Sequence, residues 1–280
     1  MMFPRLKRYL ERYPVVAFTY RSIRDAWIIQ HQQPRATVHG FRWIGRSDMQ
    51  DGSFEAEETA LIKQYLLQAD VFIDVGANIG YYTCIARSIG KYTIAIEPLM
   101  ENLRYLYANI EQNGWQDNDL EVWPVGLSNR SGLAMLYGGG TGASLISGWA
   151  GVSPLWRRTI PLSTLDVLLG KRLEGKRLLI KMDVEGVEYH ALQGALQTLS
   201  MFPRPVWIVE IGMTTHHPKG FNPNYVATFE LFRQYGYRAR TAEIKLREIS
   251  WDEVNKWATT GVVPEGAGNF LFESNLKSNQ

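Results

Sequence analysis

Short apolar runs alternate along this chain with longer stretches whose apolar positions recur at helical spacing. Val71–Val75, Tyr92–Ile96, Leu120–Val125, Arg177–Met182 and Pro205–Ile211 are brief and rich in β-branched residues. Runs of that kind predict strands buried on both faces of a parallel sheet. Between and around them, Phe54–Leu67, Tyr81–Ile89, Leu99–Asn113, Val187–Leu199 and Tyr225–Tyr235 read as helices, with Gly114 and Gly236 stopping the third and the last. Ser53 is the expected N-cap of the first helix, and Ser163 of a short helix ending at Leu169. Leu133–Tyr137 and Thr159–Leu162 read as added strands, residues 237–247 and 268–272 as terminal ones, and Ser274–Gln280 as a frayed end. Strand and helix in alternation predict an α/β fold of Rossmann-like type: a doubly wound, mostly parallel sheet whose ligands bind beyond the carboxyl ends of the strands.

The strand Val71–Val75 runs directly into Gly76, Asn78 and Gly80, and then into a helix. Strand, glycine-rich turn and helix together form a nucleotide-binding entry. The dinucleotide fingerprint G-x-G-x-x-G fails here, because its second and third glycine positions hold Asn78 and Tyr81. A nicotinamide oxidoreductase is therefore disfavoured. The pattern is D-x-G-x-N-x-G from Asp74, and Glu97, with Pro98 behind it, ends the next strand 21 residues after Gly76. An acid in that second place accepts hydrogen bonds from ribose hydroxyls. Asp74 would repel a pyrophosphate and suits an ammonium group. The two acids fit S-adenosylmethionine, with its amino-acid end at Asp74 and its ribose at Glu97. Glu55 has two readings, a contact to the methionine end or an ordinary acid in a first helical turn. Asp74, Glu97, Asp183 and Glu210 all fall at predicted strand ends, on one rim.

Composition narrows the class further. The 280 residues carry a formal net charge of +2, which gives no support to a nucleic-acid protein. The charge is uneven: residues 1–46 hold nine Lys/Arg and two acids, +7, leaving 2 − 7 = −5 for the rest. Residues 1–50 are therefore set apart as a basic, partly helical N-terminal extension before a domain over residues 51–280. Phe3, Leu6, Leu10 and Tyr13 share one face of that extension. Two readings stand: a basic amphipathic segment lying on an anionic membrane surface, or, more plainly, a helix packed on the domain with its charges in water. No apolar run has the ~20 residues of a membrane span. No signal peptide is read, and the expected location is cytoplasmic, with peripheral membrane or glycan-assembly contact left open. The single cysteine, Cys84, reads as a small buried apolar residue.

Longer motifs carry a family resemblance. VFIDVGANIGYYT, IEP with Asn102 and Asn109 beyond it, GLSNRSG, GASL, TLD, LIKMDVEGVEYHALQGA and VEI follow in that order from about Asp51 to Gly212, with a weaker echo at Gly268–Phe272. This set resembles the FkbM-type S-adenosylmethionine-dependent methyltransferases. The resemblance implies a class I methyltransferase fold and O-methylation of hydroxyls, often on sugars or on polyketide and glycolipid products. Carried over by position, it implies that Asp74, Gly76, Asn78 and Gly80 form the first cofactor motif and that Glu97 is the ribose acid. Gly126 would lie by the adenine and Ser144 near the ligand, with Asp183 and Glu185 at the rim of the fourth strand. The first 50 residues carry no such match.

The reaction so implied is in-line displacement of a methyl group from a sulfonium by an oxygen nucleophile. It needs alignment, exclusion of water and a base for the hydroxyl proton. Candidate bases are Asp183, Glu185, Glu210, His216 and His217; a histidine of the pair is the first choice, since its ordinary pKa of about 6.5 matches neutral pH. A second route, not favoured, uses a divalent cation such as Mg²⁺ or Ca²⁺ on Asp183, Glu210 and a histidine. The expected function is O-methylation of a sugar, glycan or glycolipid-type acceptor. A non-sugar natural product as acceptor, or a non-catalytic cofactor-binding subunit of a glycan-assembly complex, are the alternatives.

Overall fold

The structure, a computed structural model, describes residues 13–243, 245–264 and 268–274. Helix α1 (Pro14–His31) opens with proline in its first turn, where no backbone N–H is needed. Two short paired strands follow, β1 (Arg35–Ala36) and β2 (Arg42–Trp43), and then a five-residue helix, α2 (Ser47–Asp51). The alternating part begins with α3 (Ala56–Leu66), β3 (Val71–Val75), α4 (Tyr81–Ser88), β4 (Tyr92–Ile96), α5 (Met100–Gln112) and β5 (Leu120–Trp123). Strands β6 (Gly126–Leu127), β7 (Gly132–Tyr137) and β8 (Arg157–Ser163) leave this alternation and form a small separate sheet in the order β6-β8-β7. The chain then returns through α6 (Leu165–Leu169), β9 (Leu178–Met182), α7 (Glu188–Gln193), α8 (Leu196–Ser200) and β10 (Val206–Glu210). It ends with α9 (Tyr225–Gln234), β11 (Tyr237–Thr241), β12 (Glu248–Ile249), α10 (Trp251–Thr260) and β13 (Asn269–Ser274).

The central sheet has the order β12-β11-β13-β10-β9-β3-β4-β5. Strands β5, β4, β3, β9 and β10 are parallel, and β13 runs antiparallel to both β10 and β11. From β3 the chain first builds outward to β5 and later restarts at β9 on the other side. The strand order therefore reverses between β3 and β9, which opens a crevice at their carboxyl ends. Alternate residues serve two cores. Ile73, Val75, Ile94, Ile96, Ile180 and Met182 face one side, with Tyr225, Phe229 and Phe232 of α9. Phe72, Leu179 and Ile208 face the other, packed with Leu61, Ile62, Cys84 and Ile85. Phe41, Trp43 and Met49 belong to that second core.

Four local expectations give way. The helix after Ser53 starts at Ala56 with Glu55 at the N-cap position, so Ser53 lies two residues too early to cap it; its hydroxyl donates to Asp51 at 2.6 Å. Thr164, not Ser163, caps α6, accepting from the Val167 N–H at 3.1 Å. The expected single helix over Val187–Leu199 is two short ones, α7 and α8. Gly194 stands between them so close to β6 that an added Cβ would lie 2.1 Å from the Ser128 carbonyl oxygen. Helix α10 was not anticipated, although Ser250 and Glu253 form a reciprocal capping box at its start. Of the end expected to fray, Ser274 closes β13, and residues 275–280, like Phe3, Leu6 and Leu10, fall outside the described residues.

Candidate cofactor and active site

A cavity opens where the strand order reverses. Gly76, Asn78, Glu97, Pro98, Asn102, Gly126, Asp183 and Glu185 line it, with Gly140, Thr141, Ala143 and Leu145 of the glycine-rich loop as its far wall. Seven of the expected site residues are thus brought together: Gly76, Asn78, Glu97, Pro98, Gly126, Asp183 and Glu185. The turn after β3 is built for close approach. Gly76 has φ +82° and a Cβ on it would lie 1.8 Å from the Asp183 carbonyl oxygen, so no side chain fits between the two loops. The Asp183 N–H donates back to the Val75 carbonyl at 3.0 Å.

Glu97 is buried and already held. Its Oε1 accepts from the Leu99 N–H at 2.8 Å and the Asn102 amide at 3.3 Å, and its Oε2 from the Asn78 N–H at 2.8 Å. Burial pushes its pKa up to about 7, against these three hydrogen bonds and helped by the charge of Asp74. A carboxylate offers about four lone-pair sites. Three are taken, so one remains for a ribose hydroxyl rather than the two expected. Asn78 supplies the missing acceptor: its Oδ1 is buried on the same cavity without a hydrogen-bond partner. One carboxylate position and one orphan amide oxygen match a vicinal diol, so the residues present fit an adenosyl ribose. The cavity as it stands measures about 60 Å³, well under the ~300 Å³ at the small end of ligand sites. Entry therefore requires its glycine-rich wall to part.

Asp74 is not on this cavity. It is buried on the opposite face of the sheet and accepts from the Thr83 hydroxyl at 2.6 Å. Its register partner on β9 is Lys181, which is equally buried. The Lys181 ammonium lies 3.2 Å from Asp183 Oδ2 and 3.8 Å from Glu58 Oε1. Burial opposes its charge, but Asp183, Glu58, Glu55 and Asp74 outweigh that and hold its pKa above the ordinary value. Burial likewise pushes Glu58 up to about 7, against the pull of Lys181. Burial and then Asp183 push Glu185 up to about 7 as well. Glu210, at the end of β10, keeps its tip in water; crowding by protein and then Asp183 shift its pKa upward.

The remaining candidates act as supports or stand aside. Glu55 caps α3 in a left-handed conformation and accepts from the Tyr82 hydroxyl at 2.7 Å, away from the cavity. Gly80, at φ +92°, packs on Leu106. Ser144 donates to the Glu185 backbone carbonyl at 2.6 Å and so props the DVEG turn instead of facing a ligand. His216 and His217 do not line the cavity. Their rings pack against Trp149, at 6.0 and 5.9 Å between centroids, and the Trp149 indole N–H donates to Glu185 at 2.8 Å. Among the described residues no group of three or more His, Cys, Asp or Glu is arranged to hold a metal ion. The sequence reading missed Lys181, Glu58 and the roles of Asn102 and Trp149. A lysine inside the apolar run LLIKM is the signal that could have found the first, because a charge buried in a central strand needs a paired acid.

A mostly parallel sheet that reverses at a glycine turn is a Rossmann-like frame, and this chain is an S-adenosylmethionine-dependent methyltransferase on that frame. More particularly, the chain belongs to the FkbM methyltransferase family: the family described as Methyltransferase FkbM domain matches residues 74–239. A search among curated proteins finds none that matches. Among solved structures, the chain is similar to the methyltransferase FkbM from Methylobacillus flagellatus, with 18% identity over 73% of this chain and 43% of that one, at a TM-score of 0.44. The chain thus spans less than half of that protein's length. It is also similar to an O-methyltransferase from Bacillus cereus solved with SAH (15% identity, 77% and 78% of the two chains, TM-score 0.39). A third similarity is to the bifunctional kinase-methyltransferase WbdD (15% identity, 82% and 40%, TM-score 0.42). No helix among the described residues is long and apolar enough to cross a membrane.

Proposed function

We propose that this methyltransferase acts on oxygen, at a hydroxyl of a sugar, glycan or glycolipid-type acceptor, with Asp183 as the general base. One observation carries the reading: Asp183 lines the cofactor cavity, and its carboxylate is held by a buried ammonium 3.2 Å away. Glu97 and Asn78 would hold the ribose, and Gly76 leaves room for the ligand beside the backbone. Bound S-adenosylmethionine supplies an already activated methyl group. Asp183 accepts the hydroxyl proton as the acceptor oxygen attacks, and Lys181 holds that side chain in place. The glycine-rich wall and Trp149 shut out water. The base moves from the histidine pair to Asp183 because Asp183 lines the cavity and neither histidine does. A polar, carboxylate-rich wall with an indole beside it suits a polyhydroxylated ring, which offers hydroxyl edges and a C–H face.

Transfer of labelled methyl groups to a panel of sugars, phenols and amines tests the acceptor class. Methylation confined to amines or phenols would refute it. Asp183→Asn tests the base: kcat is expected to fall by about 10²–10⁴ while SAH affinity stays within a few fold. An undiminished kcat removes Asp183 from the role.

A further inference from the structure

Helix α1 has two unlike faces. Its inner face is tied to the domain: Asp25 accepts from the Tyr105 hydroxyl at 3.3 Å, Ser22 accepts from Arg104 at 2.8 Å, and Arg21 stacks over the Trp156 ring at 4.0 Å. On the outer side Val16, Tyr20, Ile23 and Trp27 are 51, 44, 66 and 61% exposed. At about 100° per residue these four fall within an arc of about 60°, opposite Asp25, as a ridge about 16 Å long. A stripe of large apolar and aromatic side chains held in water contributes nothing to the fold and marks an interaction surface.

Charge says what covers it. Residues 1–46 carry nine Lys/Arg against two acids, whereas the rest of the chain is net negative. The one acid of α1, Asp25, is turned inward, and Arg24, about half exposed, flanks the ridge. Tyrosine and tryptophan with a basic surround are the side chains that settle at the boundary between lipid headgroups and acyl chains. We propose that the outer face of α1 is a docking surface for an anionic lipid bilayer, on which the protein sits peripherally. The inner face of the same helix, through Arg21, Arg24, Asp25 and Ile28, lines a second cavity of about 360 Å³. That cavity shares Asn78, Asn102, Gly140 and Thr141 with the cofactor cavity. Docking therefore holds that cavity one helix diameter, roughly 10 Å, from the lipid surface. The docking itself does not depend on which atom is methylated.

The test is cosedimentation of the full chain with vesicles of phosphatidylcholine alone, and of phosphatidylcholine and phosphatidylglycerol in equal parts. The chain is expected to pellet with the mixed vesicles and to be released as salt rises. The double variant I23S/W27S should lose partitioning at least about tenfold. Leu67→Ser, a similarly exposed apolar residue off the ridge, should not. SAH binding measured alongside should be unchanged in both variants, which separates a failed membrane surface from a failed cofactor site. Equal partitioning of I23S/W27S and wild type, or no binding of the full chain to mixed vesicles, overturns the proposal. So does a dimer in solution that I23S/W27S turns into monomer, since the ridge would then belong to a second copy.

Discussion

Replacing Glu97 by Gln keeps volume and shape and removes one acceptor oxygen. In the wild type Oε1 takes two donors and Oε2 one, all within 3.3 Å. The Gln amide has one oxygen, so its NH₂ must point at either the Leu99 or the Asn78 N–H. A buried donor left facing another donor costs about 1–3 kcal/mol, which urea denaturation of the apoprotein would register. The ligand loses more specifically. The lone pair left for a ribose hydroxyl belongs to an ionised group, and a hydrogen bond of that kind contributes about 1.5–3 kcal/mol. That corresponds to an SAH affinity about 10- to 150-fold weaker, read by calorimetric titration at about pH 8, one unit above the group's pKa of about 7. As pH falls below that pKa the wild-type carboxyl takes up its own proton, so the gap between wild type and E97Q should narrow. Equal SAH affinities at the higher pH would refute the assignment of Glu97 to the ribose.

Asn78→Gly relieves a left-handed residue, φ +52°, and deletes an amide oxygen that has no partner, so apoprotein stability should hold or rise while SAH affinity falls about 5- to 10-fold. Thermal melts and SAH titration check the two halves, and an unchanged SAH affinity removes Asn78 from the diol. Lys181→Met leaves the acids around it uncompensated, at a cost of about 3–5 kcal/mol where they are ionised. Glu58 has its pKa raised to about 7 from an ordinary 4.5, so the folded state keeps its proton longer than the unfolded chain does. Its favourable contribution is full below about 4.5 and fades as pH rises through about 7. The variant's loss should therefore be small at low pH and grow with pH in urea titrations; a loss constant with pH would contradict the pairing.

The parallel core was legible because β3, β4, β9 and β10 are short, mostly apolar runs, interrupted only by single residues such as Asp74 and Lys181, as strands buried on both faces are. The position of Glu97 was legible too, since the strand ends of a reversing sheet open on its crevice, and Glu97 lines the cavity there. Asp74 was placed on the wrong side of the sheet. Residues one apart on a strand point to opposite faces, and a motif read as a string does not show which face the cavity is on. The caps failed because propensity does not fix where a helix starts: α3 starts at Ala56, three residues past Ser53, and α6 is capped by Thr164, one residue past Ser163. The split between α7 and α8 is invisible locally, because the Ser128 carbonyl that forbids a side chain at Gly194 comes from a distant strand.

The contact between Gly76 and Asp183 makes the two signature segments a single moving part. Backbone meets backbone there with no side chain to act as a cushion, and a hydrogen bond from the Asp183 N–H to Val75 ties the same two loops. A shift of the turn after β3 is therefore felt at Asp183, and the reverse holds equally. A chain altered in either loop is thus altered in both.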